Sequence, residues 1–293
     1  MYSVGIDIGG MSAKIGVVKE DRVVQTFTVP TQKDLDYSIF IDEVCELVGQ
    51  IQKQYQIKGI GISSCGLIDS KQGMIRYSNN IQWEQKPIVK DVSERIGCTV
   101  KIANDAKCAA LAEAVYGAGK NYERLCMLTL GTGVGGGFIN HKRIENGNAY
   151  CDADSILGHI TVERDGRMCT CGRKGCLEAY ASATAVMKRY REKTEETISA
   201  KKIFLRAREG EKAALETINE FKYYLGEGLV SLVNVLRPEV VAIGGGMAKS
   251  ADLFLNELND YVNRYIYGGD VLPVKIVAAQ LENEAGMIGA ALL

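Results

Sequence analysis

The chain has 293 residues, enough for two lobes that each bury a core and too few for much else. Lys plus Arg number 35 against 36 Asp plus Glu, a formal charge of −1, so no overall field draws the protein to nucleic acid or anionic lipid, and small ligands are the expected partners. The odd count of nine cysteines, six of them (Cys45, Cys65, Cys98, Cys108, Cys126, Cys151) scattered without regular spacing, argues against a disulfide framework.

Val4 to Gly10, Ala13 to Val18 and Arg22 to Phe27 read as extended runs separated by turn signals, an antiparallel meander. The start carries no basic, apolar signal segment and no later stretch reaches membrane-spanning length, so a cytoplasmic protein is expected. Within Ile39 to Tyr55 the apolar positions Ile41, Val44, Cys45, Val48 and Ile51 form a helical stripe. Ile57 to Ser63 is a β run after it, which predicts a strand–helix–strand crossover. Val92 to Ile96 reads as a short helix, Thr99 to Ile102 as a strand and Ala106 to Tyr116 as an alanine-rich helix, with a first lobe ending near Gly117-Ala118-Gly119. Leu125 to Leu130 then starts a second β series that ends in the glycine-rich turn Gly131 to Gly137 and continues into Phe138-Ile139. A strand closed by a glycine turn and followed by another strand thus occurs twice, which suggests two related lobes. Ser182 to Val235 is largely helical in composition, and Pro238 to Ile243 is a strand running into Gly244-Gly245-Gly246. Ala251 to Tyr265 reads as a helix, Val274 to Ala278 as a strand and Gly286 to Leu293 as a closing helix.

The glycine turns after strands invite a phosphate-binding reading, because glycine accepts positive φ and lets backbone N–H groups approach phosphate oxygens. Tight hairpins use the same residues, so each turn alone is weak. Asp7 and Lys14 add a metal contact and a cationic side chain near the first turn. The alternatives fail: the chain has no Gly-Lys-Ser/Thr ending of a P-loop and no Rossmann fingerprint opening a helix. Asn104-Asp105 stands at a strand-to-helix junction. An ordinary N-cap is the plainer local reading; the functional one makes Asp105 a base that accepts the proton of an attacking hydroxyl. His159, Cys169, Cys171 and Cys176 supply one imidazole and three thiolates, with Gly172 and Gly175 permitting a tight loop. Four such ligands make a closed, structural zinc site. Glu178 follows the last cysteine and would be aimed by that loop, or is a solvated helix-start glutamate. His141 reads as a surface residue in a turn, and Trp83 either packs a pocket loop or fills core.

Taken together, Asp7-Ile8-Gly9-Gly10, Asn104-Asp105, Leu130 to Gly137, the Gly158-His159 to Glu178 segment and Ile243 to Gly246 resemble the ROK family (repressor, open reading frame, kinase) of sugar kinases along the whole chain. The resemblance implies a two-lobed α/β fold of the actin/hexokinase type, ribonuclease-H-like in each half, with a cleft between lobes at 1–117 plus 281–293 and at 118–280. It implies ATP-dependent phosphorylation of a hexose in the manner of a glucokinase, with ATP, Mg²⁺ and one structural Zn²⁺. Asp105 would be the catalytic base, and Gly66, Asn80, Asn104, Asp105, His159 and Glu178 would face the sugar. Asp7, Gly9, Gly10, Ser12, Lys14, Gly131, Thr132, Gly133, Gly244 and Gly245 would surround the nucleotide, and His159, Cys169, Cys171 and Cys176 would hold the zinc. A dimer or tetramer is also implied; the helix-turn-helix of the family's repressors is not expected, since the first strand opens at residue 2.

The family's pattern is broken twice. Met11 stands where a threonine usually follows the first Gly-Gly, with the Ser12 hydroxyl beside it, and Ile156 stands where a sugar-binding glutamate usually precedes the zinc histidine. The second change predicts a substrate that differs from glucose at one hydroxyl, or a carboxylate reaching in from Asp152 or Asp154. The rival readings are a kinase for N-acetylmannosamine, allose or fructose, and a sugar sensor without turnover.

Overall fold

A computed structural model describes residues 1–31, 36–145 and 156–293; Cys151, Asp152 and Asp154 lie outside them. The elements in chain order are β1 (Tyr2–Ile8), β2 (Ser12–Lys19), β3 (Arg22–Pro30), α1 (Tyr37–Gln54), β4 (Ile57–Ser64), β5 (Leu67–Asp69), β6 (Met74–Ser78), β7 (Trp83–Lys86), α2 (Ile88–Ile96), β8 (Val100–Asn104) and α3 (Asp105–Val115). They continue with β9 (Arg124–Leu130), β10 (Val134–Asn140), β11 (Arg143–Ile144), α4 (Glu178–Ala181), α5 (Ala183–Thr194), α6 (Ala200–Arg208), α7 (Lys212–Leu236), β12 (Val240–Gly244), α8 (Leu255–Tyr265), β13 (Lys275–Ala278) and α9 (Ala285–Ala291). The chain forms two compact units. One holds Met1–Gly117, the described part of Lys142–Asp154 and Leu281–Leu293; the other holds Ala118–His141 and the described part of Ser155–Gln280.

The first unit is built on a sheet of order β3-β2-β1-β4-β8. The hairpin strands β1 and β2 pair antiparallel, and β1, β4 and β8 run parallel, with Ile8 beside Ser64 and Ser64 beside Asn104. Parallel strands covered on both faces are apolar along their length, and Val4, Ile6, Ile8, Ile60, Ile62 and Ile102 are buried. The helix α9 lies so close to the sheet that a Cβ on Gly5 would stand 1.9 Å from the Met287 carbonyl oxygen and one on Gly61 1.7 Å from that of Ala290. Only glycine permits that approach. On the other face α1 buries Phe40, Ile41, Val44, Val48 and Ile51, the stripe read from the sequence.

The second unit repeats this topology. Its strands β10 and β9 pair antiparallel, and β9, β12 and β13 run parallel, so β10-β9-β12-β13 follows β2-β1-β4-β8 step for step. Helices α5, α6, α7 and α8 supply its core around Tyr190, Phe204, Phe221 and Phe254. Among the described residues no helix is long and apolar enough to cross a membrane.

The elements differ from expectation in several places. The glycine run does not form one turn: only Gly131 to Gly133 turn, while Gly135, Gly136 and Gly137 lie inside β10, paired with Thr129, Leu128 and Met127. Gly136 is there for close approach, since its Cβ would stand 2.7 Å from Leu157 Cδ1 and from the Met127 carbonyl oxygen. The helix expected over Ala251 to Tyr265 is a 3₁₀ stretch (Gly246–Leu253) followed by α8, broken at Phe254, whose φ of −143° is not helical. Helix α2 starts earlier than expected, and the short sheet β5-β6-β7 was not foreseen. Trp83 fills core, edge-on to Tyr37 with ring centroids 5.1 Å apart and 4.9 Å from Phe40. His141 is exposed beside Glu123.

Candidate functional site

In open α/β sheets ligands gather at the carboxyl ends of the parallel strands. In the first unit these ends carry Asp7 (β1), Ser63 and Ser64 (β4) and Asn104 (β8). Asn104 is the N-cap of α3: its Oδ1 accepts from the N–H groups of Ala106 (3.0 Å) and Lys107 (3.4 Å). Its Nδ2 donates to the Gly66 carbonyl, 3.3 Å away. The capping role therefore belongs to Asn104, and Asp105 is the first helical residue, accepting only a share of the Ala106 N–H (2.9 Å). Burial lifts the Asp105 carboxyl above its ordinary value, the Ala106 N–H opposes this, and the charge of nearby Asp7 adds to the rise. Asp7 behaves alike: burial raises it, against the Ser63 hydroxyl, which donates to Oδ1 at 2.7 Å, and against Lys14, its partner across the β1–β2 ladder.

Gly9, Gly10, Met11 and Ser12 turn the chain from β1 into β2, the Gly9 N–H donating to the Ser12 carbonyl at 3.1 Å. A Cβ on Gly10 would stand 3.5 Å from the Asn80 carbonyl oxygen, so the expected nucleotide turn and the expected sugar residue Asn80 are neighbours. Met11 is 84% exposed at the tip. Gly66 has φ +108°, and a Cβ there would lie 2.4 Å from the Tyr77 carbonyl oxygen. The loop bearing Gly66 and Asn80 is braced by buried Asp69, which accepts from Arg76 Nη2 (2.6 Å) and the Gln72 N–H (2.9 Å).

In the second unit the carboxyl ends of β9 and β12 carry the other glycine turns, and Gly244 pairs beside Thr129. Gly245 has φ +83° and its Cβ would stand 2.5 Å from the Leu130 carbonyl oxygen, so the turns at Gly131 and Gly245 touch. The Gly131 carbonyl accepts from the Ala183 N–H and the Thr132 carbonyl from the Thr184 hydroxyl, each at 2.8 Å. Glu178 lies against the same turn: Oε2 accepts from the Val134 N–H at 3.1 Å, Oε1 from the Thr170 hydroxyl at 2.6 Å. A Cβ on Gly133 would stand 2.4 Å from Oε2. Glu178 is thus a held group, not a solvated one.

The ligand atoms of His159, Cys169, Cys171 and Cys176 lie within 4.8 Å of one another. A zinc ion with thiolates at about 2.3 Å and an imidazole at about 2.0–2.1 Å sets tetrahedral edges of about 3.8 Å between sulfurs and about 3.5 Å from sulfur to nitrogen. The Cys171 and Cys176 sulfurs stand 3.6 Å apart, and Cys169 Sγ stands 3.5 Å from His159 Nδ1. Spacing and donor chemistry both fit Zn²⁺. The loop is shaped by Gly172 (φ +85°) and Gly175 (φ +79°), the latter so close to Glu163 that a Cβ would meet its carbonyl oxygen at 1.8 Å. Tyr180 ties it from behind, its hydroxyl accepting from the Arg167 N–H at 2.6 Å.

Each half-site also holds residues that the sequence did not single out: Ser63 on Asp7, and Val134, Thr170, Ala183 and Thr184 around the second turn. The polar pair Ser63-Ser64 closing an apolar strand was a readable signal; the others act from distant positions with none.

The sequence model of the ROK family matches residues 3–293. The chain is 32% identical to the glucokinase of Streptomyces coelicolor, over 99% of its own length and 96% of that protein's. Two solved structures share the fold: the ROK hexokinase of Thermus thermophilus (TM-score 0.87, 30% identity, 100% of this chain and 97% of that one) and a ROK glucokinase of Streptomyces griseus in complex with glucose and AMPPNP (TM-score 0.83, 32% identity, 99% and 98%). With its actin/hexokinase-like fold and a family match over nearly every residue, this chain belongs to the ROK family.

Proposed function

We propose that the protein transfers the γ-phosphoryl group of ATP to a hydroxyl of a hexose, with glucose the first substrate to test. The observation that carries this reading is the full-length likeness to the Streptomyces griseus glucokinase, whose structure holds glucose and AMPPNP. Asp105 is the base: relieved of capping by Asn104 and held above the ordinary carboxylate range, it accepts the proton of the attacking sugar hydroxyl. Phosphoryl transfer needs little more from the protein than positioning and charge neutralisation. On this reading Gly66, Asn80, Asn104, His159 and Glu178 are partners for the sugar hydroxyls. The turns at Gly9, Gly10 and Ser12, at Gly131 to Gly133 and at Gly244-Gly245 present backbone to the nucleotide, with Lys14 as a nearby cation.

Asp7 suits Mg²⁺, which takes one or two carboxylates and completes its shell with water and substrate phosphate; an ion held there would neutralise phosphate charge. His159, Cys169, Cys171 and Cys176 would hold a Zn²⁺ whose closed shell would make it structural, ordering the loop that carries Glu178.

The test is ADP release in a coupled assay over glucose, N-acetylmannosamine, allose and fructose. Glucose-dependent ADP release is expected. Ile156, 49% exposed and contributing no carboxylate, leaves room for a different preferred sugar in the same panel. Calorimetric sugar binding without ATP consumption for any member would overturn the kinase reading in favour of a sensor.

A further inference from the structure

The turn from β1 to β2 is held by a residue from outside it. Thr31, directly after β3, is 2% exposed. Its hydroxyl donates to the Gly9 carbonyl at 2.6 Å, and its backbone N–H donates to the Met11 carbonyl at 3.1 Å. With the Ser12 carbonyl accepting from the Gly9 N–H within the turn, three carbonyl oxygens of the turn are taken up by protein donors.

That orientation matters for an anion. A backbone turn attracts phosphate through its N–H dipoles and repels it through its carbonyl oxygens, so an anion-binding turn has to keep its carbonyls turned away. The second unit does the same from a different element: at the Gly131 turn two carbonyls are tied to the Ala183 N–H and the Thr184 hydroxyl, at the start of α5. The two turns share a place in the topology and a tie made of one threonine hydroxyl and one backbone N–H, although the tie comes from the end of β3 in one unit and from α5 in the other. Convergence on carbonyls turned inward is what a polyphosphate ligand requires, and a plain hairpin does not.

We propose that Thr31 is a positioning residue for nucleotide binding: without touching the ligand, it holds the Gly9 and Met11 carbonyls away from the polyphosphate and so keeps the turn receptive to it. The proposal rests on the kinase reading above. It also accounts for how a turn with a methionine at its tip can serve an anion, since the thioether of Met11 faces outward while the backbone beneath it is held from the side.

The test is calorimetric binding of AMPPNP and of adenosine, with kinetics for ATP and sugar, on wild type, Thr31→Val and Thr31→Ser. Removing the hydroxyl takes the side-chain donor from the part-buried Gly9 carbonyl, and Thr31→Val should weaken AMPPNP and raise KM for ATP roughly 10-fold. Adenosine affinity and KM for the sugar should hold within about 2-fold, and Thr31→Ser, which keeps the donor, should restore AMPPNP binding. Wild-type AMPPNP affinity in Thr31→Val, or an equal loss of adenosine affinity, overturns the proposal. Should Thr31→Val not fold, Thr31→Cys keeps the volume and offers only a weak S–H donor; AMPPNP affinity in it equal to wild type likewise overturns the proposal. Failure of the kinase reading looks different: wild type itself would neither bind AMPPNP nor turn over, and the proposal would fall with it.

Discussion

The two units carry the same strand pattern, and the ends of their parallel strands differ in kind. The first edge is acidic: Asp7 and Asp105 share it, and each carboxyl is pushed above its ordinary value by burial, with Asp7 raising Asp105 further. The second edge has glycine turns on its strands and borrows its carboxylate from the metal loop, where the Val134 N–H and the Thr170 hydroxyl hold Glu178. A repeated topology therefore does not repeat chemistry. On the proposed reading, the first copy would host proton transfer and the second a ligand-positioning loop.

The largest expected effect breaks the acidic edge. Asp105→Asn should lower kcat by roughly 10²–10⁴ while sugar affinity, read by calorimetry, survives. The same variant should be more stable than wild type near neutral pH. A carboxyl raised in the folded state contributes stability that is complete below the ordinary value of 3.8 and is lost as pH rises through the folded pKa. The gain in Tm for Asp105→Asn should therefore grow as pH rises from 3.8 toward the raised folded pKa and then level off, and a Tm below wild type above that pKa would contradict the burial account. For wild type, kcat/KM should fall as pH drops through a carboxyl pKa above 3.8. In Asp7→Asn, whatever its residual rate, this acid limb should move to lower pH, because a neighbouring negative charge is gone.

The second edge is tested through the proposed zinc. Purified protein should hold close to one zinc per chain by atomic absorption, and Cys176→Ser, which removes a fully buried ligand, should lose most of it. Removing even an outer partner of a metal ligand costs roughly 10- to 100-fold in affinity or activity, and a direct ligand should cost no less. A Cys176→Ser protein with full metal content and full activity would detach Glu178 from the zinc loop.

The cluster of His159, Cys169, Cys171 and Cys176 was the most legible part of the sequence, because these side chains and their glycines crowd into one local knuckle. The glycine turns were legible only in part. Gly131 to Gly133 and Gly135 to Gly137 look alike as letters, and only the pairing of β10 with β9 separates turn from strand. Thr31 could not be found by spacing, since its partner Gly9 lies 22 residues away across the sheet; Ser63 was readable as a polar residue closing an apolar strand, but its pairing with Asp7, 56 residues away, was not. The sheet β5-β6-β7 was missed because strands of three to five residues carry too little alternation to stand out from loop.

Glycine-to-alanine changes sharpen the comparison between turns. Gly245→Ala combines φ +83° with a Cβ 2.5 Å from the Leu130 carbonyl oxygen and should cost about 2–4 kcal/mol in urea unfolding. Gly10→Ala meets nothing nearer than Asn80 at 3.5 Å and should cost no more than about 0.5 kcal/mol. Equal losses would mean that the two turns are equally tight.

The smallest expected effect is Thr184→Val. Its hydroxyl ties the Thr132 carbonyl as Thr31 ties Gly9, but Thr184 is exposed where Thr31 is buried. Water can replace an exposed donor at little cost, whereas the part-buried Gly9 carbonyl faces a buried side chain, whose hydroxyl water replaces less readily. The Ala183 N–H also remains on Gly131, fixed by the backbone of α5. AMPPNP affinity in Thr184→Val should thus stay within about 3-fold of wild type, against roughly 10-fold for Thr31→Val. A loss as large as that of Thr31→Val would show that burial does not set the difference between the two turns, and that each tie is needed wherever it sits.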